Sequence, residues 1–195
     1  MSKLRLSFLG PPLVERDGTS VIITRRKVLA LLAYLAVSGH AHGRDELTDL
    51  LYPRHDRDRA MADFRTVLSV LRQFIGTDSL VIDGERVGLR WEDGIRVDVG
   101  EMRALLAEAR SAEKGGDEAV VERLLVEATG LVRGEFLAGF TLCDSARFDE
   151  WEEQEREGLQ GEEARALERL TAIREARGAH GDAIAVARQR LMLDP

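Results

Sequence analysis

Residues 55–76, HDRDRAMADFRTVLSVLRQFIG, have the spacing of an amphipathic helix that begins near Asp56 and ends at Ile75. Six apolar side chains share one face, namely Ala60, Phe64, Val67, Leu68, Leu71 and Ile75. The opposite arc is mostly polar, with small or hydroxyl residues near its centre: Arg59, Ala62, Thr66, Ser69, Val70 and Gln73, flanked by Asp63, Arg65 and Arg72. Such a face can approach another surface closely, and its arginines can reach phosphates or guanine bases. Taken alone, the pattern favours a solvated surface helix, because many amphipathic helices carry several arginines.

Two further helices are predicted before this one. TRRKVLALLAYLAVSG, residues 24–39, is strongly apolar, with Thr24 in the position of a helix cap and Gly39 as the stop. RDELTDLLY, residues 44–52, is a short helix that Pro53 ends. The helix of residues 55–76 is therefore the third of a group of three.

Hairpins are predicted on both sides of the three helices. LRLSFLG and PLVERDGTSVII, residues 4–23, alternate as short strands and turn at Asp17-Gly18. SLVIDGERVGLRW, residues 79–91, alternates around Asp83-Gly84. A helix, a short helix, an amphipathic helix and a hairpin form the order of a winged helix-turn-helix, whose third helix fits the major groove, about 12 Å wide.

The remaining residues are predicted to be helical throughout. Residues 101–116 and 117–134 form an antiparallel pair, residues 147–178 a long helix weakened locally at its two glycines, and residues 180–193 a last helix. We therefore predict an α+β winged helix-turn-helix domain with an N-terminal β-sheet over residues 1–96, followed by an all-α, tetratricopeptide-like domain over residues 97–195.

The two halves differ in charge. Residues 1–96 hold 15 basic and 13 acidic side chains, whereas residues 97–195 hold 13 and 22, for a total net charge of −7. DNA binding requires a locally basic surface and not a basic protein. The acidic second half does not exclude a nucleic-acid partner for the first half.

Several charged or hydroxyl side chains are candidate DNA contacts. The start of the first helix offers backbone N–H groups and basic side chains to a phosphate, and the hairpin carries two arginines toward flanking DNA. The candidate DNA-binding residues are Arg25, Arg26, Lys27, Arg59, Asp63, Arg65, Thr66, Ser69, Arg72, Arg86 and Arg90. Asp63 is open to three interpretations: it accepts a hydrogen bond from cytosine, it orients Arg59, or it indicates weak or lost DNA binding.

Other classes of site find little support in the sequence. There is no phosphate-binding glycine loop, and His40-Ala41-His42 is interpreted as a plain turn and not as a metal site. Cys143 is expected to be a half-buried structural thiol, and a single cysteine favours a reducing, cytoplasmic setting. No apolar run is long enough for a membrane span. We expect no catalytic residues, no metal and no cofactor.

The ordered set of elements resembles a known family. TRRKVLALLAYLAVSGHAHGRDELTDLLYP, and RAMADFRTVLSVLRQFIG followed by LVIDGERVGL, are similar to the OmpR-type winged helix of SARP-type regulators. FDEWEEQEREGL and ERLTAIREARGAHGDAIAVARQRLMLDP resemble the bacterial transcriptional activator domain, which is of tetratricopeptide character. The positions that match a repeat of about 34 residues are Leu167, Leu170, Gly178, Ala183 and Pro195.

This resemblance implies a transcriptional activator that binds double-stranded DNA at direct repeats. It implies that the loop from Tyr52 to Asp58 faces RNA polymerase, with Tyr52, Arg54, His55, Asp56 and Arg57 as the contacts; the residues alone favour a solvated connection. We expect the helical domain to carry regulation, through self-association or by docking to a partner or a ligand. Because a repeat normally packs a further helix after its Asp-Pro turn, we expect the chain to be the N-terminal part of a longer protein.

One alternative remains open at this stage. In a protein-interaction scaffold the winged helix would no longer bind DNA, and the helical repeats would dock a partner. Asp63 and the acidic net charge favour this alternative, whereas Arg59, Arg65, Arg72 and the basic start of the first helix oppose it.

Overall fold

The computed structural model describes residues 3–91 and 94–193. The strands are β1 (Leu4–Ser7), β2 (Leu13–Arg16), β3 (Thr19–Ser20), β4 (His42–Gly43), β5 (Leu80–Asp83), β6 (Arg86–Leu89) and β7 (Ile95–Val97). The α-helices are α1 (Arg26–Ser38), α2 (Arg44–Leu51), α3 (Arg57–Ile75), α4 (Asp98–Lys114), α5 (Glu118–Gly130), α6 (Ala146–Ala176) and α7 (His180–Leu193). A 3₁₀ turn, Thr77–Ser79, joins α3 to β5. None of the helices described is long and apolar enough to cross a bilayer.

A four-stranded sheet opens the fold, in the order β3-β2-β1-β7. Its predicted turn is confirmed: Arg16 pairs with Thr19, and Asp17 and Gly18 between them both have positive φ, 53° and 77°. This is the backbone of the two-residue turns that match the twist of a hairpin. The predicted strand stops earlier than expected, since residues 21–23 lie outside β3.

The strand β7 was not predicted. It pairs in parallel with β1, with Leu4 opposite Ile95 and Leu6 opposite Val97. The helix α4 follows without a linker at Asp98. The expected boundary between residues 96 and 97 therefore falls inside a strand that belongs to the first sheet.

The three helices of the first half agree with the prediction to within two residues at each end. Thr24 is not the cap of α1: the cap position is Arg25, whose side chain makes no capping hydrogen bond, and Gly39 ends the helix with a φ of 73°. At α3 the Asp56 side chain accepts a hydrogen bond from the Arg59 N–H at 3.0 Å. All six apolar side chains of α3 that were predicted to face the protein core are buried.

The predicted hairpin is the wing, formed by β5 and β6 with Gly84 and Glu85 at its turn. A further strand, β4, pairs with β6 and completes a three-stranded sheet. A Cβ on Gly88 would lie 2.9 Å from the Ala41 Cβ, so the close approach of β6 to the residue before β4 requires glycine.

The helical half consists of the pair α4 and α5, followed by α6 and α7. The antiparallel pair and the two later helices are confirmed. The 31-residue helix α6 continues through Gly158 and Gly161 without interruption. Two aromatic residues near its start, Phe148 and Trp151, pack against the core. The Trp151 ring lies 5.0 Å from that of Tyr34 in α1 and 5.1 Å from that of Phe148.

The buried carboxylate of Asp98 joins the two halves. It accepts hydrogen bonds from the N–H groups of Phe8 at 2.9 Å and Leu9 at 2.8 Å, as well as from Val99 at 2.8 Å. Burial raises the pKa of Asp98, while these three hydrogen bonds and the charge of Arg133 act in the opposite direction. The start of α4 is thereby fixed to the segment that follows β1.

A loop between α5 and α6 covers the same segment from the other side. The Arg133 N–H donates to the Leu9 carbonyl at 2.9 Å, and the Leu137 N–H donates to the Phe8 carbonyl at 2.9 Å. Gly10 has a φ of 128°, and a Cβ there would lie 3.1 Å from the Arg133 Cβ. The segment of residues 8–10 is therefore hydrogen-bonded to the helical half through both its N–H groups and its carbonyl groups.

We predict that Asp98→Ala lowers the free energy of unfolding by about 1–3 kcal/mol, because it removes the acceptor of the buried N–H groups of Phe8, Leu9 and Val99. Urea denaturation followed by circular dichroism measures this change. The matched control is Glu108→Ala, which removes an exposed carboxylate from the same helix and should change the value by less than about 0.5 kcal/mol. Equal stability of the two variants would contradict the role given to Asp98.

Candidate nucleic-acid interface

The exposed face of α3 carries two arginines on one flank, Arg65 and Arg72. Both are exposed, and neither side chain has a hydrogen bond or ion pair with any residue in 3–91 or 94–193. Seven residues apart, they lie on the same side of the helix, about 10 Å from each other along its axis. Ser69, which is also exposed, lies between them along the helix, so the two guanidinium groups border a surface of small side chains.

The other flank of α3 is tied to the protein. The Asp63 Oδ2 lies 3.1 Å from the Nδ1 of His55 and 4.0 Å from the Nε of Arg59. The Thr66 hydroxyl donates to the Ala62 carbonyl at 3.2 Å. Of the interpretations of Asp63, orientation of Arg59 agrees with this geometry. The neighbouring His55 and Arg59 side chains partly compensate the Asp63 charge, which reduces its repulsion of a nearby phosphate.

The two arginines of the wing each donate a hydrogen bond to a backbone carbonyl. The Arg86 Nη2 donates to the Ala41 carbonyl at 2.5 Å, and the Arg90 Nε donates to the Asp78 carbonyl at 3.0 Å. Both residues remain exposed. The wing therefore presents two partly fixed cations at its surface.

The start of α1 differs from the expectation of a phosphate site. The Lys27 Nζ donates to the Leu51 carbonyl at 2.6 Å, lies 2.8 Å from the Asp144 Oδ2, and stands 3.9 Å above the Tyr52 ring. The Arg26 Nη1 donates to the Thr141 carbonyl at 2.9 Å. The loop after residue 140 of the helical half lies against the start of α1, so these two cations bind residues of that loop. Arg25 remains exposed and has no side-chain partner among the described residues.

A cleft of about 410 Å³ separates the start of α1 from α3. Residues 25–28 form one wall, Asp63, Thr66 and Val67 another, and residues 142–144 of the helical half a third, with Tyr52 beside them. The helical half therefore reaches the edge of α3 that carries Asp63 and leaves the flank with Arg65 and Arg72 outside this cleft.

The expected polymerase-contact loop is only partly exposed. Burial, followed by the charges of Asp63 and Asp144, raises the pKa of Tyr52 to about 12. The His55 ring packs 5.1 Å from the Tyr52 ring, and Asp56 is engaged as the cap of α3.

Two basic side chains of this loop face outward. The exposed Arg57 pairs with Asp45 of α2 at 3.2 Å. Arg54 is exposed and makes no side-chain contact of this kind within the described ranges. Of the five residues expected in this contact, Arg54 is therefore the most available to a partner.

Two minor expectations require correction. Residues 42 and 43 form β4 and not a plain turn, and His42 is buried, with Nδ1 2.8 Å from the Glu46 Oε1 and Nε2 2.7 Å from the Ser38 Oγ. Cys143 is exposed and not half-buried. Within residues 3–91 and 94–193, no group of three or more His, Cys, Asp and Glu side chains is placed to hold a metal ion.

Comparison with known proteins identifies the second half. Residues 97–195 match the bacterial transcriptional activator domain family. The regulatory protein AfsR of Streptomyces coelicolor is 30% identical over 181 residues, which cover 87% of this chain and 18% of that protein. AfsR of Streptomyces griseus is 30% identical over 153 residues, which cover 76% of this chain and 16% of that protein. The chain thus corresponds to less than a fifth of the length of these relatives.

A solved structure confirms the fold class. Mycobacterium tuberculosis EmbR, determined in complex with a low-affinity phosphopeptide, has a TM-score of 0.69 and 19% identity, covering 97% of this chain and 59% of that one. The expected winged helix-turn-helix followed by a helical domain is therefore found as one arrangement in a second protein. Residues 97–195 are just over half of the chain, so the chain belongs to the bacterial transcriptional activator domain family, and its similarity to the two AfsR regulatory proteins confirms the predicted SARP-type transcriptional regulator.

Proposed function

We propose that this chain binds double-stranded DNA in a sequence-specific manner through α3 and activates transcription from the neighbouring promoter. The observation that carries the proposal is a pair of exposed arginines on the outer face of α3, Arg65 and Arg72, whose side chains have no partner among the described residues. Arginine donates two parallel hydrogen bonds to guanine in the major groove, which makes it the side chain best suited to base recognition.

The surroundings of α3 support a groove-binding role. Small and hydroxyl side chains, Ala62, Thr66 and Ser69, are exposed along its outer face, so the helix backbone can come close to base edges. The wing with Arg86 and Arg90 would contact the DNA backbone beside the recognised bases. Arg25 at the start of α1 is available for a phosphate on the other side.

The charge distribution predicts the character of the binding. Arginines and not net charge supply the attraction, because the first half carries a net charge of only +2 and the second half −9. Each phosphate contact releases counterions, so affinity should fall steeply with salt. A modest affinity per copy also favours two copies on tandem direct repeats, through self-association or adjacent binding.

We predict that Arg65→Ala and Arg72→Ala each weaken binding to promoter DNA. The loss should be about 1–3 kcal/mol with relaxed specificity for an arginine that contacts bases, and smaller but uniform across sequences for one that contacts phosphates. Fluorescence anisotropy with labelled specific and nonspecific duplexes distinguishes these cases.

The matched control for this comparison is Arg110→Ala, which removes an exposed arginine from α4 in the helical half. It should leave the affinity for both duplexes unchanged. If all three variants bind as the unaltered chain does, α3 is not the recognition helix.

We further propose that the loop between α2 and α3 contacts RNA polymerase. Arg54 is exposed and unpartnered in the described structure, while within the same loop the Tyr52 and His55 rings pack on each other and His55 bonds to Asp63 of α3. It lies directly before α3, so a polymerase on the same DNA can reach it. A rigid charged loop loses little conformational entropy on binding, which favours a specific contact.

We predict that Arg54→Ala lowers transcription in a reconstituted assay while DNA affinity stays unchanged. The physical reason is that Arg54 lies outside the surface proposed to bind DNA, so its loss removes a polymerase contact alone. Run-off transcription and anisotropy on the same promoter fragment measure the two properties. Arg5→Ala, an exposed arginine on β1, serves as the control. An equal loss of DNA binding and transcription in Arg54→Ala would assign Arg54 to the DNA and not to polymerase.

The helical half would then carry regulation through a partner, and the cytoplasm would be the place of action. The alternative of a scaffold without DNA binding draws on the engagement of Arg26 and Lys27 with the helical half. It predicts no DNA binding even at low salt, so the DNA experiments separate the two functions.

A further inference from the structure

A groove in the helical half has the size of a small-molecule site. It lies where the end of α5 and the loop after it face α6 and α7, and its volume is about 600 Å³. Its apolar walls include Met102, Phe136, Leu159, Leu167, Leu170 and Val186. Pockets for small ligands usually measure about 300–1,000 Å³ and combine apolar walls with a few polar groups.

Some of the charged side chains that line the groove have partners of opposite charge and others do not. The Arg156 Nη2 lies 2.8 Å from the Glu152 Oε1, and the Arg174 Nε lies 3.2 Å from the Glu122 Oε1. The carboxyl group of Glu163 has neither a hydrogen bond nor an ion pair within residues 3–91 and 94–193. Among the described residues, the groove therefore holds two cations that are already paired and two acidic groups that are not, namely the half-buried Glu163 and the exposed Glu135.

Burial is the physical cause of a raised pKa at Glu163. Loss of water around the carboxylate disfavours its charged form, and no donor within residues 3–91 and 94–193 compensates for that loss. A ligand that brought a cationic donor to this position would supply the missing interaction.

From the groove and the carboxyl group of Glu163, which no described side chain or backbone group pairs, we propose that this site binds a small amphipathic amine. The ammonium group would contact the Glu163 carboxylate, and the apolar body would lie along Leu159, Leu167 and Leu170. An anionic ligand is disfavoured, because the two arginines nearby are already engaged by acidic partners.

The position of the groove links it to the contact between the two halves. Leu9, whose N–H bonds to Asp98, and Phe136, whose ring lies 5.9 Å from that of Trp151, both line it. A bound amine would thus touch the segment that fixes the winged helix to the helical half. The site itself does not depend on whether the chain binds DNA.

The test compares two probes with the same apolar body, 4-phenylbutylamine and 4-phenylbutanol. Each is titrated into the 195-residue chain labelled with ¹⁵N, and amide chemical shifts give the affinity. We expect the amine to bind about tenfold more tightly than the alcohol, since a charge-assisted hydrogen bond is stronger than a neutral one. Equal affinities, or no binding of either probe, would overturn the proposal.

The variant Glu163→Gln keeps the shape of the side chain and removes its charge. It should lose the preference for the amine and keep the affinity for the alcohol, which also shows that the groove remains folded. Glu157→Gln, an exposed position on the same helix, is the control and should retain the preference. A preference for the amine that persists in Glu163→Gln would place its binding elsewhere on the protein and contradict the proposal.

Discussion

The hydrogen bonds of Asp98 to the N–H groups of Phe8 and Leu9 are the constraint on which the arrangement of the two halves depends. They fix the first turn of α4 to the segment that follows β1, and β7 leads into that turn without a linker. The loop that carries Arg133 then closes over the same segment from the other side. A buried carboxylate that serves backbone donors is costly to remove, so this junction keeps the helical half in one position relative to α3.

That fixed position determines which cations of the winged helix stay available. The helical half brings Asp144 to Lys27 and Thr141 to Arg26, and so occupies part of the basic start of α1. It leaves the flank of α3 with Arg65 and Arg72 exposed. A protein of net charge −7 can in this way keep a small basic surface, to which we assign the proposed DNA contact, because its acidic groups lie mainly in the other half.

Local signals made most of the fold predictable. The period of the apolar residues and the cap at Asp56 define α3, and the Asp17-Gly18 pair defines the first turn, since both effects act within a few residues. The strands β4 and β7 escaped prediction because they are two and three residues long and owe their structure to distant partners. For the same reason the candidate site was only partly predictable. The exposed face of α3 follows from its own sequence, whereas the partner of Lys27 lies 117 residues away and carries no local pattern.

The most direct test of this account is a mobility-shift titration of the chain with promoter DNA from upstream of its own gene, over a salt series and with nonspecific competitor. The account predicts a specific complex that survives competitor at low salt and weakens steeply as salt rises, in proportion to the phosphates contacted. Absence of a complex even at low salt, or a complex that competitor removes completely, would contradict recognition of DNA by α3.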